Sequence, residues 1–204
     1  MLTIVDYGSG NLRSVQKAVE KCGFSATITS DPQVVAKAER IILPGVGAFG
    51  DAMRALRHRN LVEPLQEHAR SDKPFLGICM GLQLLFETGF EGGTHRGLGI
   101  LAGDVVRFDL PSGMKVPHMG WNTTTWPRDW QPARDGEHFY FVHSYHARPT
   151  DASVVAAVTD YGGEFCAAVR RGNLYATQFH PEKSQAAGLR LLSSWLEATR
   201  PFLA

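Results

Sequence analysis

A cysteine flanked by glycines at the end of an apolar run is an arrangement suited to a nucleophile. The chain has one in Pro74-Phe75-Leu76-Gly77-Ile78-Cys79-Met80-Gly81-Leu82-Gln83. Glycines two positions either side of Cys79 permit a sharp strand-to-helix turn, which pushes the central side chain out at the top of a sheet. Leu82, Leu85 and Phe86 suggest an amphipathic helix starting at this point. The free N–H groups at its start would favour the thiolate, the reactive form of cysteine. An isolated cysteine more often packs as a small hydrophobe. The two glycines and the strand-to-helix context tilt the reading toward chemistry.

A thiolate that attacks a carbonyl needs a proton carrier for its leaving group. Asn173-Leu174-Tyr175-Ala176-Thr177-Gln178-Phe179-His180-Pro181-Glu182-Lys183-Ser184 offers one at the end of a second predicted strand. Proline between His180 and Glu182 stiffens the turn and removes a donor, which favours both side chains reaching the same edge. Glu182 can then accept from one imidazole nitrogen and leave the other aimed at sulfur, as the third member of a triad. Taken alone, this segment reads equally well as a surface turn.

A third element, Pro44-Gly45-Val46-Gly47, lies just beyond another short buried strand. Glycines on both sides of Val46 let backbone N–H groups at Val46 and Gly47 face a cavity, as an oxyanion hole requires. The N–H of Met80, next after the nucleophile, is the natural second donor. A plain glycine-rich turn remains open for this segment on its own.

The elements that must carry these residues alternate. Leu2–Asp6 reads as a first strand. Leu12, Val15, Ala18, Val19 and Cys22 then mark one face of a helix that Gly23 ends. Phe24–Thr29 reads as a strand, and Asp31-Pro32 opens a helix with an N-cap followed by proline. Arg40–Leu43 is a short buried strand, Ala52–Arg57 and Leu61–Arg70 are helical, and Lys73–Ile78 is the apolar strand before Cys79. Such alternation predicts an α/β fold with an open, mixed, mainly parallel central sheet and helices on both faces. Beyond Gly97 the segments Ile100–Leu110, Thr123–Trp126, His138–Ala147, Ser153–Val158, Phe165–Arg170 and Leu174–Gln178 read as strands, several pairing antiparallel. Gly188–Ala198 closes the chain as a helix. No repeat, low-complexity tract or linker divides it, so residues 1–204 are expected to form a single domain.

Composition narrows the classes of function. The chain has 204 residues, a formal net charge of +1 and charges of mixed sign. Neither nucleic acid nor an anionic membrane is an expected partner. No run approaches a membrane span, and Met1–Asp6 lacks the basic-then-apolar pattern of a signal peptide. Its three cysteines, Cys22, Cys79 and Cys166, match no disulfide framework or zinc site, which suits a reducing cytoplasm. Cys22 and Cys166 read as packed hydrophobes.

Together, Gly77-Ile78-Cys79-Met80-Gly81-Leu82-Gln83 and His180-Pro181-Glu182 resemble the class I (triad-type) glutamine amidotransferases, a flavodoxin-like fold. The resemblance is closer to the glutaminase subunits that serve histidine biosynthesis. Its marks are Asp6-Tyr7-Gly8-Ser9-Gly10-Asn11-Leu12, Pro44-Gly45-Val46-Gly47-Ala48-Phe49, Val116-Pro117-His118-Met119-Gly120-Trp121-Asn122 and Tyr140-Phe141-Val142-His143-Ser144-Tyr145. These cover nearly the whole chain. The resemblance implies Cys79 as nucleophile, His180 as base and acid, Glu182 as its orienting partner, and Val46, Gly47 and Met80 as the oxyanion hole. It implies that Gln83, Ser144 and Tyr145 hold L-glutamine, with Glu91 a weaker candidate. It further implies an oxyanion strand that reorients before it donates, and no cofactor. The partner implied is the cyclase subunit of imidazole glycerol phosphate synthase, in a heterodimer, with Asn11, Trp121, Asn122 and Lys183 near the contact. A glutaminase serving a different synthase, and a non-catalytic or redox-sensing cysteine domain, are the alternatives.

Three other signals carry less. Gly8-Ser9-Gly10 begins like a dinucleotide fingerprint, but Arg13 stands where the third glycine belongs. His143 and His146 suggest a metal pair, yet on one continuous strand that odd spacing sends the rings to opposite faces, so no metal is expected. Residues 126–132 read as an irregular proline-punctuated loop without an assigned role.

Overall fold

The computed structural model describes residues 1–126 and 134–199. Residues 127–133, which include most of the segment read as an irregular loop, and residues 200–204 lie outside them. The first half runs β1 (Leu2–Val5), α1 (Leu12–Lys21), β2 (Thr27–Thr29), α2 (Pro32–Lys37), β3 (Arg40–Gly45), α3 (Phe49–His58), α4 (Val62–Arg70), β4 (Phe75–Cys79) and α5 (Met80–Gln83). Short strands follow: β5 (Phe86–Gly89), β6 (His95–Arg96), β7 (Leu101–Arg107), β8 (His118–Thr123), β9 (His138–His143), β10 (Tyr145–Pro149), β11 (Val155–Asp160), β12 (Glu164–Arg171) and β13 (Leu174–Thr177). Helix α6 (Gln185–Ala198) closes the described chain.

Local chemistry accounts for several boundaries. Asp31 caps α2 by accepting the Gln33 N–H at 2.8 Å, ahead of a proline at the first helical position. Gly23 ends α1 with a φ of +83° and donates its N–H to the Glu20 carbonyl at 2.9 Å.

The central sheet has seven strands in the order β11-β12-β13-β4-β3-β1-β2. Strands β2, β1, β3, β4 and β13 run parallel, and β12 and β11 add antiparallel. This is the expected open, mixed, mainly parallel sheet. Its strand residues alternate between two cores, as the period of a strand demands. Ile4, Ile42, Leu76 and Ile78 pack with Val15, Val19, Leu192 and Trp195 of α1 and α6. Val5, Ile41, Leu43 and Phe75 face the other way, toward Met53, Leu56 and Leu65 of α3 and α4. The parallel order brings the carboxyl ends of β3, β4 and β13 side by side, and at these ends stand Val46, Cys79 and His180.

From Cys79 onward the fold departs from the sequence reading in several places. The helix after Cys79 is a single turn of four residues, and Phe86 begins a strand instead. All four residues of that turn are buried, so it has no amphipathic face, and it is too short to supply the field of a long helix. Thr123–Trp126 contributes only the end of β8 and an isolated bridge from Thr125 to Val158. His138–Ala147 is not one strand. It breaks at Ser144, where the chain leaves a two-stranded sheet with β8 and enters a four-stranded sheet beside β7. The break also corrects the argument about His143 and His146. Both rings rest against Phe108, with centroids 5.1 and 4.7 Å from it, rather than on opposite faces. Among the described residues no group of three or more histidine, cysteine or carboxylate side chains is placed to hold a metal ion.

Candidate active site

Cys79 closes β4 in a conformation that few non-glycine residues adopt, with φ +55° and ψ −106°. Such backbone is costly and persists only where the surroundings over-determine it. Here the surroundings are glycines. A Cβ on Gly77 would lie 2.8 Å from the Gly81 carbonyl oxygen, so the chain on either side of the cysteine folds back on itself more tightly than any side chain allows.

His180 follows β13 by three residues and is fixed through its backbone. Its N–H donates to the Tyr140 carbonyl at 2.9 Å, and its own carbonyl accepts the Ser184 hydroxyl at 2.7 Å. Ser184 Oγ also accepts the Tyr140 N–H at 3.0 Å, which ties the turn to β9. The His180 Nδ1 lies 2.8 Å from Glu182 Oε1, and the two side chains are only 2% and 1% exposed. Burial acts to lower the His180 pKa. Hydrogen bonding and negative charge at Cys79 and Glu182 act against it and prevail, holding the imidazole at about 9. Nε2 is buried and makes no hydrogen bond at rest, although Cys79 is near enough to act on the charge of the ring.

In front of the cysteine lies a cleft of about 380 Å³. Val46, Gly47, Cys79, Met80, Gln83, Glu91, Ser144 and Tyr145 all line it, together with Pro117, Val142 and His143. Thus every residue expected to hold substrate or to form the oxyanion hole borders one cavity. His180 and Glu182 are buried beside Cys79 and are not themselves lining residues of the cleft. Glu91 borders the cleft, but its Oε2 accepts the Phe49 N–H at 2.8 Å and so caps the start of α3. The break at Ser144 is what turns Ser144 and Tyr145 toward this cavity.

The segment Pro44–Gly47 forms one rim. A Cβ on Gly45 would fall 1.9 Å from the Tyr7 hydroxyl, so glycine is required for β3 to pass that buried ring. Gly47 has a φ of +98°. The Ser9 hydroxyl donates to the Val46 carbonyl at 2.6 Å, fastening the rim to the loop after β1. Ser9 had no role in the sequence reading, because nothing in its local pattern points to a partner 37 residues away.

The four residues expected near a protein partner divide. Asn11, Trp121 and Lys183 are exposed, Trp121 by 47%, and the Lys183 ammonium sits 5.9 Å from the centre of the Tyr140 ring. Asn122 turns inward, with its amide donating to the Asp160 carbonyl at 2.9 Å and reaching His118 Nε2 at 3.3 Å. Cys22 and Cys166 pack as expected, each thiol near a backbone carbonyl, and burial pushes the Cys166 thiol up to about 12.

A strained cysteine at a strand end, a buried His–Glu pair and a glycine-rich rim, on a mainly parallel sheet, point to the glutamine amidotransferases. The family model "Glutamine amidotransferase class-I" matches residues 3–196, and the chain belongs to that family. Curated relatives narrow the likeness. "Imidazole glycerol phosphate synthase subunit HisH" of Rhodopirellula baltica is 64% identical, covering 97% of this chain and 98% of its own. The HisH proteins of Geobacter sulfurreducens and Aquifex aeolicus are 52% and 50% identical over 96% and 94% of this chain. Among solved structures, PurLQS from Thermotoga maritima superposes with a TM-score of 0.76 at 21% identity, covering 97% of each chain, a likeness of fold.

Proposed function

We propose that this chain is the glutaminase subunit of an imidazole glycerol phosphate synthase, acting as one unit over residues 1–204 in the cytoplasm. The identity to HisH proteins of three bacteria supports the assignment. The observation that carries the chemistry is the buried His180–Glu182 pair beside a strained Cys79 that opens onto a cleft.

Glutamine enters the cleft with its amino and carboxylate ends near Gln83, Ser144 and Tyr145. The Cys79 thiol gives its proton to His180, whose raised pKa suits it to hold that proton at neutral pH. Sulfur attacks the amide carbon, and the tetrahedral oxyanion is met by N–H groups of Met80 and of the Val46–Gly47 rim. His180 then protonates the departing nitrogen, releasing ammonia and a γ-glutamyl thioester. Water, deprotonated by His180, hydrolyses the thioester to glutamate. Glu182 keeps the imidazole oriented and balances its charge throughout.

Ammonia passes to a cyclase partner, which makes imidazole glycerol phosphate and aminoimidazole carboxamide ribotide. Asn11, Trp121 and Lys183 are the exposed residues suited to meet that partner, an aromatic such as Trp121 being favoured at interfaces. Among the described residues no helix is long and apolar enough to cross a membrane, in keeping with a cytoplasmic site of action.

The test is glutamine hydrolysis by the purified chain, alone and with the cyclase subunit and its acceptor ligand. Strong stimulation by cyclase and ligand is the expected result. Robust hydrolysis indifferent to the cyclase would reassign the partner, and inactivity under every condition would remove the triad reading.

A further inference from the structure

Behind the cleft runs an unbroken chain of hydrogen bonds that ends on the cysteine sulfur. The Gln178 side-chain Nε2 lies 3.7 Å from Cys79 Sγ, within reach of a hydrogen bond to sulfur. Gln178 is wholly buried, and its backbone N–H is fixed on the Ala167 carbonyl at 2.8 Å. Its Oε1 accepts from Gln83 Nε2 at 3.0 Å. The same Gln83 nitrogen donates to the Tyr145 carbonyl, also at 3.0 Å.

Donor and acceptor chemistry leaves this amide one orientation. The Tyr145 carbonyl can only accept. Gln83 must therefore point its nitrogen at it, and the second hydrogen on that nitrogen requires an acceptor on Gln178. Turning Gln178 over would set nitrogen against nitrogen on one side and oxygen against sulfur on the other. A second branch secures the same carbonyl. His143 Nδ1 lies 2.8 Å from the Tyr145 oxygen, so it carries the hydrogen, and Nε2 of that ring must accept. His118 Nδ1, 3.1 Å away, is then the donor, and His118 Nε2 accepts from Asn122. Both rings stay neutral in this arrangement, as their burial favours.

We propose that Gln178 is a further catalytic residue, which donates its side-chain N–H to the sulfur of Cys79 and stabilises the thiolate that His180 creates. Its hydrogen stays on the amide while the thiol proton moves to His180. A hydrogen bond to a charged acceptor is stronger than one to a neutral group, so the thiolate gains more from Gln178 than the thiol does. Gln83, Tyr145 and the two histidines act as positioning groups that keep the donor pointed at sulfur. The proposal rests on Cys79 as the nucleophile, but its test does not require that glutamine be the substrate.

The experiment measures alkylation of Cys79 by iodoacetamide at pH 7 in the full chain, with Cys79→Ala as the background. Gln178→Met keeps the length and removes the donor. The expected result is a rate about 10- to 100-fold lower, the size of one hydrogen bond to a charged group. In glutamine hydrolysis, kcat should fall and the acidic limb of the kcat/KM pH profile should move to higher pH, because the thiolate forms less readily, which a general loosening of the cleft would not produce. In the unsubstituted protein, the Gln178 side-chain amide proton should move upfield in NMR spectra once alkylation converts the sulfur to a neutral thioether. That measurement stands even if Gln178→Met misfolds. An alkylation rate within twofold of the parent, or an amide resonance indifferent to alkylation, would overturn the proposal. If alkylation slows while glutamine is never hydrolysed, the donor role survives and the glutaminase reading fails.

Discussion

Gly81 and Leu43 approach so closely that a Cβ on the glycine would fall 1.8 Å from the leucine carbonyl oxygen. The obstacle is backbone of a central strand, which cannot swing aside as a long side chain would. The approach joins the turn after Cys79 to the end of β3, and so keeps the nucleophile and the Val46 rim in fixed relation. Replacing Gly81 with alanine must push α5 away from β3 or distort the elbow.

The first prediction is therefore that Gly81→Ala destabilises the chain by about 3 kcal/mol, the upper end of overpacking costs. Hydrolysis of glutamine should fall further than stability does. Thermal unfolding and steady-state kinetics on the same preparation check this, and an unchanged melting temperature would contradict the steric argument.

A second prediction concerns alkaline pH. The folded His180 pKa, held at about 9, lies above the usual histidine value of 6.5. Protons are thus bound more tightly by the folded chain, so this group's stabilisation is complete below pH 6.5 and is lost as pH rises through about 9. Removing the negative partner lowers the folded pKa and moves that loss toward neutrality. Melting temperatures from pH 6 to 10 should decline earlier in Glu182→Gln than in the parent. Direct NMR titration of His180 should give the same displacement, and coincident curves would refute it.

The opposite sign holds for the paired histidines of β8 and β9. Burial lowers His118 to about 4 and His143 to about 3, the nearby charges of His118, His146 and His180 adding to the effect at His143. The unfolded chain takes up these protons near pH 6.5 while the folded chain refuses them. Stability is complete above pH 6.5 and falls progressively toward pH 3. His143→Gln removes one such group, so its melting temperature should depend less steeply on pH between 6 and 4. An equal slope would show that His143 is protonated in the folded state or solvated like an ordinary histidine.

How much of this was legible beforehand depended on the range of the interactions. The parallel sheet, the helices on both its faces and the grouping of Cys79 with His180 and Glu182 follow from short patterns: β-branched runs, helical spacing, paired glycines. Leu82, Leu85 and Phe86 misled because an apolar run in a fully buried segment has no period to separate helix from strand. His143 and His146 misled because the break at Ser144 is made by partners on two different sheets, β8 and β7. The inward bonds of Asn122 and the contact between Ser9 and Val46 depend on pairings across tens of residues, to which local pattern is blind. Gln178 stood in plain view two residues before His180, yet only the geometry of Gln83 and Tyr145 gives it a direction.

The last prediction tests that long-range contact at the rim. Ser9 donates to the Val46 carbonyl at 2.6 Å, and this holds the peptide between Val46 and Gly47 in one orientation. If the rim must turn before its N–H groups can meet the oxyanion, the Ser9 bond opposes that turn. Ser9→Ala removes it, and Tyr7→Phe serves as the control for the contact of the same hydroxyl with the buried Tyr7. One hydrogen bond contributes about 1 kcal/mol, so basal glutamine hydrolysis should rise about fivefold. On the same premise, hydrolysis in the presence of a cyclase and its ligand should change little, because a rim already turned no longer makes the bond. The ratio of stimulated to basal rate would then shrink by the same factor. A fall in basal activity would mean instead that Ser9 holds the rim in its donating conformation, and an unchanged rate would make the contact incidental to catalysis.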